Sequence, residues 1–249
     1  MLAAVVTAGG RLDPAFAQLA GTEVKALLPL RGRPLIYYPL CALSQAPSIG
    51  RIAVVGPAAA LQGQPGMEKA TMIVEEAGGG VENMLAAFRA IGSQERILIS
   101  ASDVPHLTPA GVEEFIAGCP EEAEICYAVV RHEAFEARYP GVHHLKAKLR
   151  EGRFTGGSLA MIRPEALEAN MPLISRTFQN RKSKLGMVRI LGLSFVVKFM
   201  LGSLSIREIE ERGRDFTGCV CRAVICEDAG VAFDIDDSEL VAVAEQGLE

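Results

Sequence analysis

Met1-Leu-Ala-Ala-Val-Val-Thr-Ala-Gly-Gly10, followed after a loop by Lys25-Ala-Leu-Leu-Pro-Leu-Arg-Gly-Arg-Pro34, is the stretch on which the reading of this chain turns. Leu2 to Val6 is a short apolar run rich in β-branched residues, which suits a strand buried on both faces. It ends at Thr7-Ala8-Gly9-Gly10, where two glycines let the backbone turn sharply and approach a ligand closely. Backbone N–H groups in such a turn form a concavity that holds anions, phosphates above all. Arg11 directly follows the glycines, and Lys25 stands fifteen residues beyond Gly10 as a point charge able to reach a triphosphate. The same residues also suit an ordinary strand-to-helix turn and a surface lysine, so the pattern alone leaves both open.

Working outward, strand and helix patterns alternate, the mark of a mostly parallel sheet with crossover helices. Arg33 to Ser44 reads as the first long helix, starting at Pro34, with Arg11 to Val24 a plain loop. Strands are expected at Ile52–Val55, Thr71–Val74, Ile97–Ser100, Ile125–Val130 and Leu159–Ile162. A helix carrying Asn83, Phe88 and Ile91 follows Gly78-Gly79-Gly80, and another follows Thr108-Pro109, Thr as N-cap and Pro at the first helical position. Asp103, in Ser-Asp-Val-Pro, sits at the carboxyl end of a central strand, where open α/β sheets bind ligands. A carboxylate there suits a magnesium ion bridging triphosphate oxygens, although Asp before a Val-Pro turn is also ordinary turn chemistry. Near the C-terminus, Asp234 and Asp236 share strand parity and point the same way, while Asp237 reads as the cap of a short helix from Leu240 to Ala244; the plainer alternative is that Asp236, Asp237 and Ser238 all only cap it.

Composition narrows the function classes. The 249 residues, 49% of them hydrophobic, suffice for one α/β domain with a sizeable core. A net charge of −5 gives no global field for nucleic acid, and the absence of Trp leaves few platforms for stacking bases. The N-terminus runs straight into a strand without a basic segment, so no secretory signal is expected and the cytoplasm is the expected compartment. The six cysteines have no disulfide-framework spacing. Alternation over residues 219–226 turns Cys219 and Cys221 one way and Cys226 the other, which speaks against a zinc site. His143-His144 has no evident carboxylate partner in the sequence and is expected to be structural or exposed.

The opening stretch resembles the signature of the MobA-like NTP transferases, in which an Ala-Gly-Gly loop and a Lys-x-Leu-Leu-x-x-x-Gly-x-Pro segment hold the nucleoside triphosphate. Asp103-Val-Pro-His-Leu-Thr-Pro109 is similar to that family's metal-binding Asp segment, and Asp234-Ile-Asp236 to its second metal-ligand segment. The resemblance implies a single Rossmann-related, glycosyltransferase-A-like α/β/α domain with a mostly parallel sheet. It also implies attack by an acceptor oxyanion, most often a phosphate, on the α-phosphorus of an NTP, with release of pyrophosphate. Its site residues would be Ala8, Gly9, Gly10, Arg11, Lys25, Gly79 and Asn83 for the nucleotide, Lys25 and Asp103 for catalysis, and Asp103, Asp234 and Asp236 for Mg2+. The family's loop arginine, four residues after the second glycine, is Pro14 here, so Arg11 is the candidate replacement. Two rivals remain: a nucleotide-sugar glycosyltransferase of the same fold, disfavoured because no Asp-x-Asp follows the central strand, and a nucleotide-binding protein without turnover.

The part least like the family is 169–207, read as a basic and apolar helical insertion in the single domain spanning 1–249. It holds Arg176, Arg181, Lys182, Lys184, Arg189, Lys198 and Arg207 and not one Asp or Glu. Arg181, Lys182 and Lys184 are candidates for holding an anionic small-molecule acceptor. Leu185 to Leu201 is apolar almost all round a helix. A membrane span is disfavoured, because its two internal charges would each cost about 2.5–3.5 kcal/mol near the bilayer centre. The preferred reading is a helix buried in the domain or in a homo-oligomer interface, ahead of a membrane-surface anchor.

Overall fold

The computed structural model describes residues 1–93, 95–180 and 192–248. The first strand, β1 (Leu2–Thr7), is buried on both faces as its apolar run requires. Ala4 and Val6 join one core with Leu40, Leu43 and Phe115, while Ala3 and Val5 join a second with Phe88, Ile91 and Leu167. Two layers of helices therefore sandwich one sheet.

The segment after β1 differs from the plain loop expected of it. Residues 14–20 form a helix, α1 (Pro14–Ala20), capped by Asp13, whose Oδ1 accepts from Ala15 N at 3.0 Å and Phe16 N at 3.1 Å. Pro14 takes the first helical position, where its missing N–H is no loss, and Gly21 closes the helix at φ 70°. The expected helix from Arg33 also starts late. Residues 29–34 are a small hairpin, β2 (Pro29–Leu30) against β3 (Arg33–Pro34), turned by Arg31 and Gly32 at φ 50° and 74°. Leu35 and Ile36 then donate backwards to the carbonyls of Leu28 and Ala26, and α2 (Tyr37–Gln45) begins only after them.

The remaining elements follow in order: β4 (Ile49–Gly56), α3 (Ala58–Leu61), β5 (Met72–Glu75), α4 (Gly80–Ile91), β6 (Ile97–Ala101) and α5 (Pro109–Gly118). Next come β7 (Ile125–Arg131), α6 (His132–Arg138), β8 (Lys146–Leu149), β9 (Gly152–Ile162) and α7 (Pro164–Asn180). Two further helices, α8 (Leu193–Met200) and α9 (Ile206–Thr217), precede β10 (Cys221–Cys226) and the final α10 (Glu239–Gln246). The sheet order is β10-β7-β9-β6-β1-β4-β5, with β8 paired to β9. All neighbours are parallel except β9, which runs against β6, β7 and β8.

Two features of this topology position the site. First, β1 connects to β4 on one side while β6 lies on its other side, so chains leave β1 and β6 in opposite directions at their carboxyl ends, the usual ligand crevice of open sheets. Second, β7 pairs with both halves of β9, so β6, paired with 159–162, and β8, paired with 152–155, share its other edge end to end. The chain entering β8 therefore arrives beside the chain leaving β6.

Within the 169–207 stretch, Met171 and Ile174 pack on the second core. The helix α8 lies at the surface: Phe195 packs near Leu149, Phe154 and Leu204, but Leu193 and Met200 are 67% and 77% exposed. A helix buried within this chain is thus not found over Leu193–Met200. Its charge is locally neutralised, Lys198 bonding Glu208 at 2.8 Å. Arg181, Lys182, Lys184 and the first part of the apolar run lie outside the described residues. Among the described residues no helix is long and apolar enough to cross a membrane.

Candidate active site

The glycine turn at the end of β1 is pinned from both sides. Ala8 N donates to Val55 O at 2.7 Å, and Lys25 N donates to Gly10 O at 3.0 Å. An antiparallel bridge between Arg11 and Val24, with Leu12 N donating to Glu23 O at 2.9 Å, closes the excursion of residues 11–24 at its base. This excursion therefore leaves Lys25 beside Gly10. Gly9 is required by space: a Cβ there would stand 2.8 Å from Asn83 Nδ2 and 3.2 Å from Glu76 Oε2. Asn83, buried in the first turns of α4, accepts from Ala77 N at 2.6 Å and so orders the loop before Gly79, the N-cap of that helix. Arg11 lies over this junction, donating to Gly9 O at 2.8 Å and pairing with Glu76.

Two residues past the end of β6, Asp103 meets Asp234 and Asp236, with one carboxylate oxygen of each within 4.8 Å of the others. Backbone contacts hold the two segments together, since Ile235 N donates to Asp103 O at 3.1 Å. His106 reinforces the joint. Its Nε2 lies 2.9 Å from Ala244 O, so Nε2 carries the proton and Nδ1 accepts from the Tyr139 hydroxyl at 2.8 Å. The ring stacks on Phe233 at 4.7 Å between centroids, immediately before Asp234. Burial holds His106 below its ordinary pKa, consistent with a neutral tether. Asp237 behaves as the cap expected of it, accepting from Glu239 N at 3.0 Å and Leu240 N at 3.2 Å.

Lys25 joins the two halves of the site. Its Nζ pairs with Asp103 Oδ2 and, at 2.8 Å, with Asp236 Oδ1. Burial pulls the Lys25 pKa down, but Asp103 and Asp236 together outweigh it and hold the ammonium above its ordinary range. Asp103 is raised, by its own burial first and by Asp234 besides, with Lys25 opposing. Burial also pushes Asp236 upward, yet its hydrogen bond and attraction to Lys25 prevail and leave it lowered. The second oxygen of Asp103, Oδ1, is buried with no hydrogen-bond partner among the described residues.

The expectation for His144 needs correction. It does have a carboxylate partner: Nε2 lies 2.8 Å from Asp234 Oδ1, and Nδ1 bonds the Thr155 hydroxyl. The hydrogen bond to Asp234 raises the imidazole pKa, against the effect of burial. The sequence hid this pair because the partners are ninety residues apart and meet only where β6 and β8 abut on β9.

Comparison with known proteins bears on the family and the fold. The family described as MobA-like NTP transferase domain matches residues 4–178. Among solved structures, a hypothetical transferase from Thermus thermophilus superposes with a TM-score of 0.87 at 33% identity, over 96% of this chain and 99% of that one. A 4-diphosphocytidyl-2C-methyl-D-erythritol synthase from Anaerococcus prevotii shares the fold at a TM-score of 0.60 and 12% identity, over 99% of this chain and 95% of its own. A CMP:2-keto-3-deoxy-manno-octonic acid synthetase complexed with CTP does so at 0.63 and 13%, over the whole of both chains. No curated protein matches. The family model spans well over half of the sequence, and the chain belongs to the MobA-like NTP transferase family of nucleotidyltransferases.

Proposed function

We propose that this chain transfers an NMP from an NTP to a phosphorylated small-molecule acceptor, releasing pyrophosphate in a magnesium-dependent reaction. The observation that carries the proposal is Lys25, held by Asp103 and Asp236 and hydrogen-bonded through its backbone to Gly10. One cation thus stands between a turn suited to phosphates and a carboxylate cluster suited to a metal. A synthetase of the same fold solved with CTP supports an NTP as the donor.

The cluster fits a hard divalent cation on two counts. It offers carboxylate oxygens alone, the donor type magnesium prefers, and Asp103 Oδ1 is a buried acceptor with no partner among the described residues. Asp103, Asp234 and Asp236 would hold the ion, which would neutralise charge on the phosphates. The chain's own groups do the rest. Backbone N–H groups of residues 9–11 orient the triphosphate, and Lys25, with Arg11 released from Glu76, balances its charge. Asn83 and the Gly79 loop take the nucleoside. The acceptor oxyanion forms a bond to the α-phosphorus as the bond to the bridging oxygen breaks and pyrophosphate departs. No proton need move, so catalysis consists of positioning and charge stabilisation.

The test is pyrophosphate release with each of four NTPs, Mg2+ and a panel of phosphorylated small molecules. Release that requires both an NTP and an acceptor, and that Asp103→Asn abolishes without loss of the folded state, is the expected result. Turnover unchanged in Asp103→Asn, or consumption of a nucleotide sugar instead of an NTP, contradicts the proposal.

A further inference from the structure

The metal-holding reading above assigns three carboxylates to one ion, and the structure orients them in two different ways. Asp103 and Asp236 share Lys25. Asp234 is oriented from the other side, by His144 Nε2 at 2.8 Å from its Oδ1. The imidazole is itself fixed. Its Nδ1 bonds the Thr155 hydroxyl, which lies 2.9 Å from Leu145 O, and Thr155 is only 1% exposed on β9. The Phe135 ring lies against it with centroids 5.1 Å apart.

Proton accounting settles the direction of the bond to Asp234. The Thr155 hydroxyl has one proton, given either to Leu145 O or to Nδ1. In either case the ionised Asp234 has none to give, so His144 Nε2–H is the donor. One oxygen of Asp234 is thereby engaged and its rotation fixed, leaving the other available to a cation. Both ring nitrogens are thus committed to partners.

We propose that His144, locked by Thr155, is a positioning residue that presets Asp234 for the metal ion. This rests on the reading of Asp103, Asp234 and Asp236 as the ion's ligands. Through its bond to Thr155 the histidine also ties that ligand to β9, so the site's geometry depends on the strand that pairs with both β6 and β8. When the phosphates of an NTP compete for Lys25, Asp234 keeps its own donor.

The experiment measures Mn2+ affinity directly, from the free-ion electron paramagnetic resonance signal, for the wild type, His144→Ala, His144→Gln, Thr155→Val and Asp103→Asn. Melting temperature and NTP affinity in EDTA are recorded on the same samples. Loss of an outer partner of a metal ligand weakens affinity by about 10–100-fold. His144→Ala should fall in that range, and His144→Gln, whose amide N–H replaces Nε2–H, should recover most of it. Metal-free NTP affinity should stay within about two-fold of wild type. If His144→Ala does not fold, Thr155→Val and His144→Gln decide: weakened binding in the first with near-normal binding in the second supports the role. Mn2+ affinity unchanged in His144→Ala while Asp103→Asn loses it overturns the inference alone. Equal losses in the Ala and Gln variants also overturn it, because the N–H donor would then be irrelevant. Mn2+ binding that Asp103→Asn does not alter removes the metal reading and this inference together.

Discussion

Replacing Lys25 with Met tests how the site stores charge before any ligand arrives. Side chains of Lys25 and Asp103 are each 14% exposed, whereas Asp236 is 75% exposed. Losing the ammonium therefore costs little at Asp236, where water screens the carboxylate. At Asp103 it leaves a buried charge unpaired beside Asp234, and breaking such a pair by removing one partner costs about 3–5 kcal/mol. For a chain of this length, roughly 2–4 °C of melting temperature accompany each kcal/mol, so a drop of about 6–20 °C is expected near neutral pH. The pH dependence has a definite sign. Burial already raises Asp103 in the wild type, and without Lys25 opposing it the folded-state value rises further. A carboxyl whose folded pKa exceeds its unfolded value binds its proton on folding, so its stabilising contribution is complete below the unfolded pKa and is lost as pH rises through the folded one. The Met variant should therefore approach wild-type stability as pH falls from 7.5 towards about 4, the usual Asp range. Saturating MgCl2 should narrow the gap at pH 7.5 by restoring a cation to the cluster. Calorimetry of both proteins at several pH values with and without magnesium checks this. Equal melting temperatures at pH 7.5, or a gap that widens on acidification, would refute the reasoning.

Three further outcomes are expected. Arg11→Ala frees Glu76 and removes one charge-assisted contact to the triphosphate, worth about 1.5–3 kcal/mol, so NTP affinity by calorimetric titration should fall roughly ten-fold or more; normal affinity would show that Arg11 does not stand in for the family's loop arginine. Gly9→Ala places a Cβ 2.8 Å from the amide of the buried Asn83. Overpacking of this kind costs about 1–3 kcal/mol and should weaken NTP binding while Gly10→Ala, whose Cβ would have 3.6 Å to Lys25, is the milder change. On sequence grounds, alanine at Arg181, Lys182 and Lys184 together should raise the acceptor KM without changing NTP affinity, as steady-state kinetics would show.

The legible parts of this fold are those whose signal is local. The β1 run, the glycine turn, Thr108-Pro109 and the capping Asp237 each declare themselves within a few residues, and the structure reproduces them. Asp13-Pro14 and Gly21 were equally local signals of a helix, but reading Arg11–Val24 as a plain loop passed over them. The helix expected at Pro34 failed for a different reason. Residues 29–34 form a hairpin through a turn with positive φ at Arg31, which sequence periodicity does not register. The antiparallel course of β9 and its division between β6 and β8 were invisible, because pairing across the sheet is not encoded at short range. The pairing of His144 with Asp234 is a consequence of that division, and so was missed with it.

The central claim is that the β1 turn, Lys25 and the three aspartates form one site for a metal-bound NTP. The most direct test is a crystal structure with a non-hydrolysable NTP and Mn2+, with the ion located by anomalous scattering. The expected result is a manganese peak bound by Asp103 together with Asp234 or Asp236, and the triphosphate on the backbone of residues 9–11 with Lys25 turned towards it. An ion elsewhere, or a triphosphate seated away from Gly9 and Gly10, would contradict it.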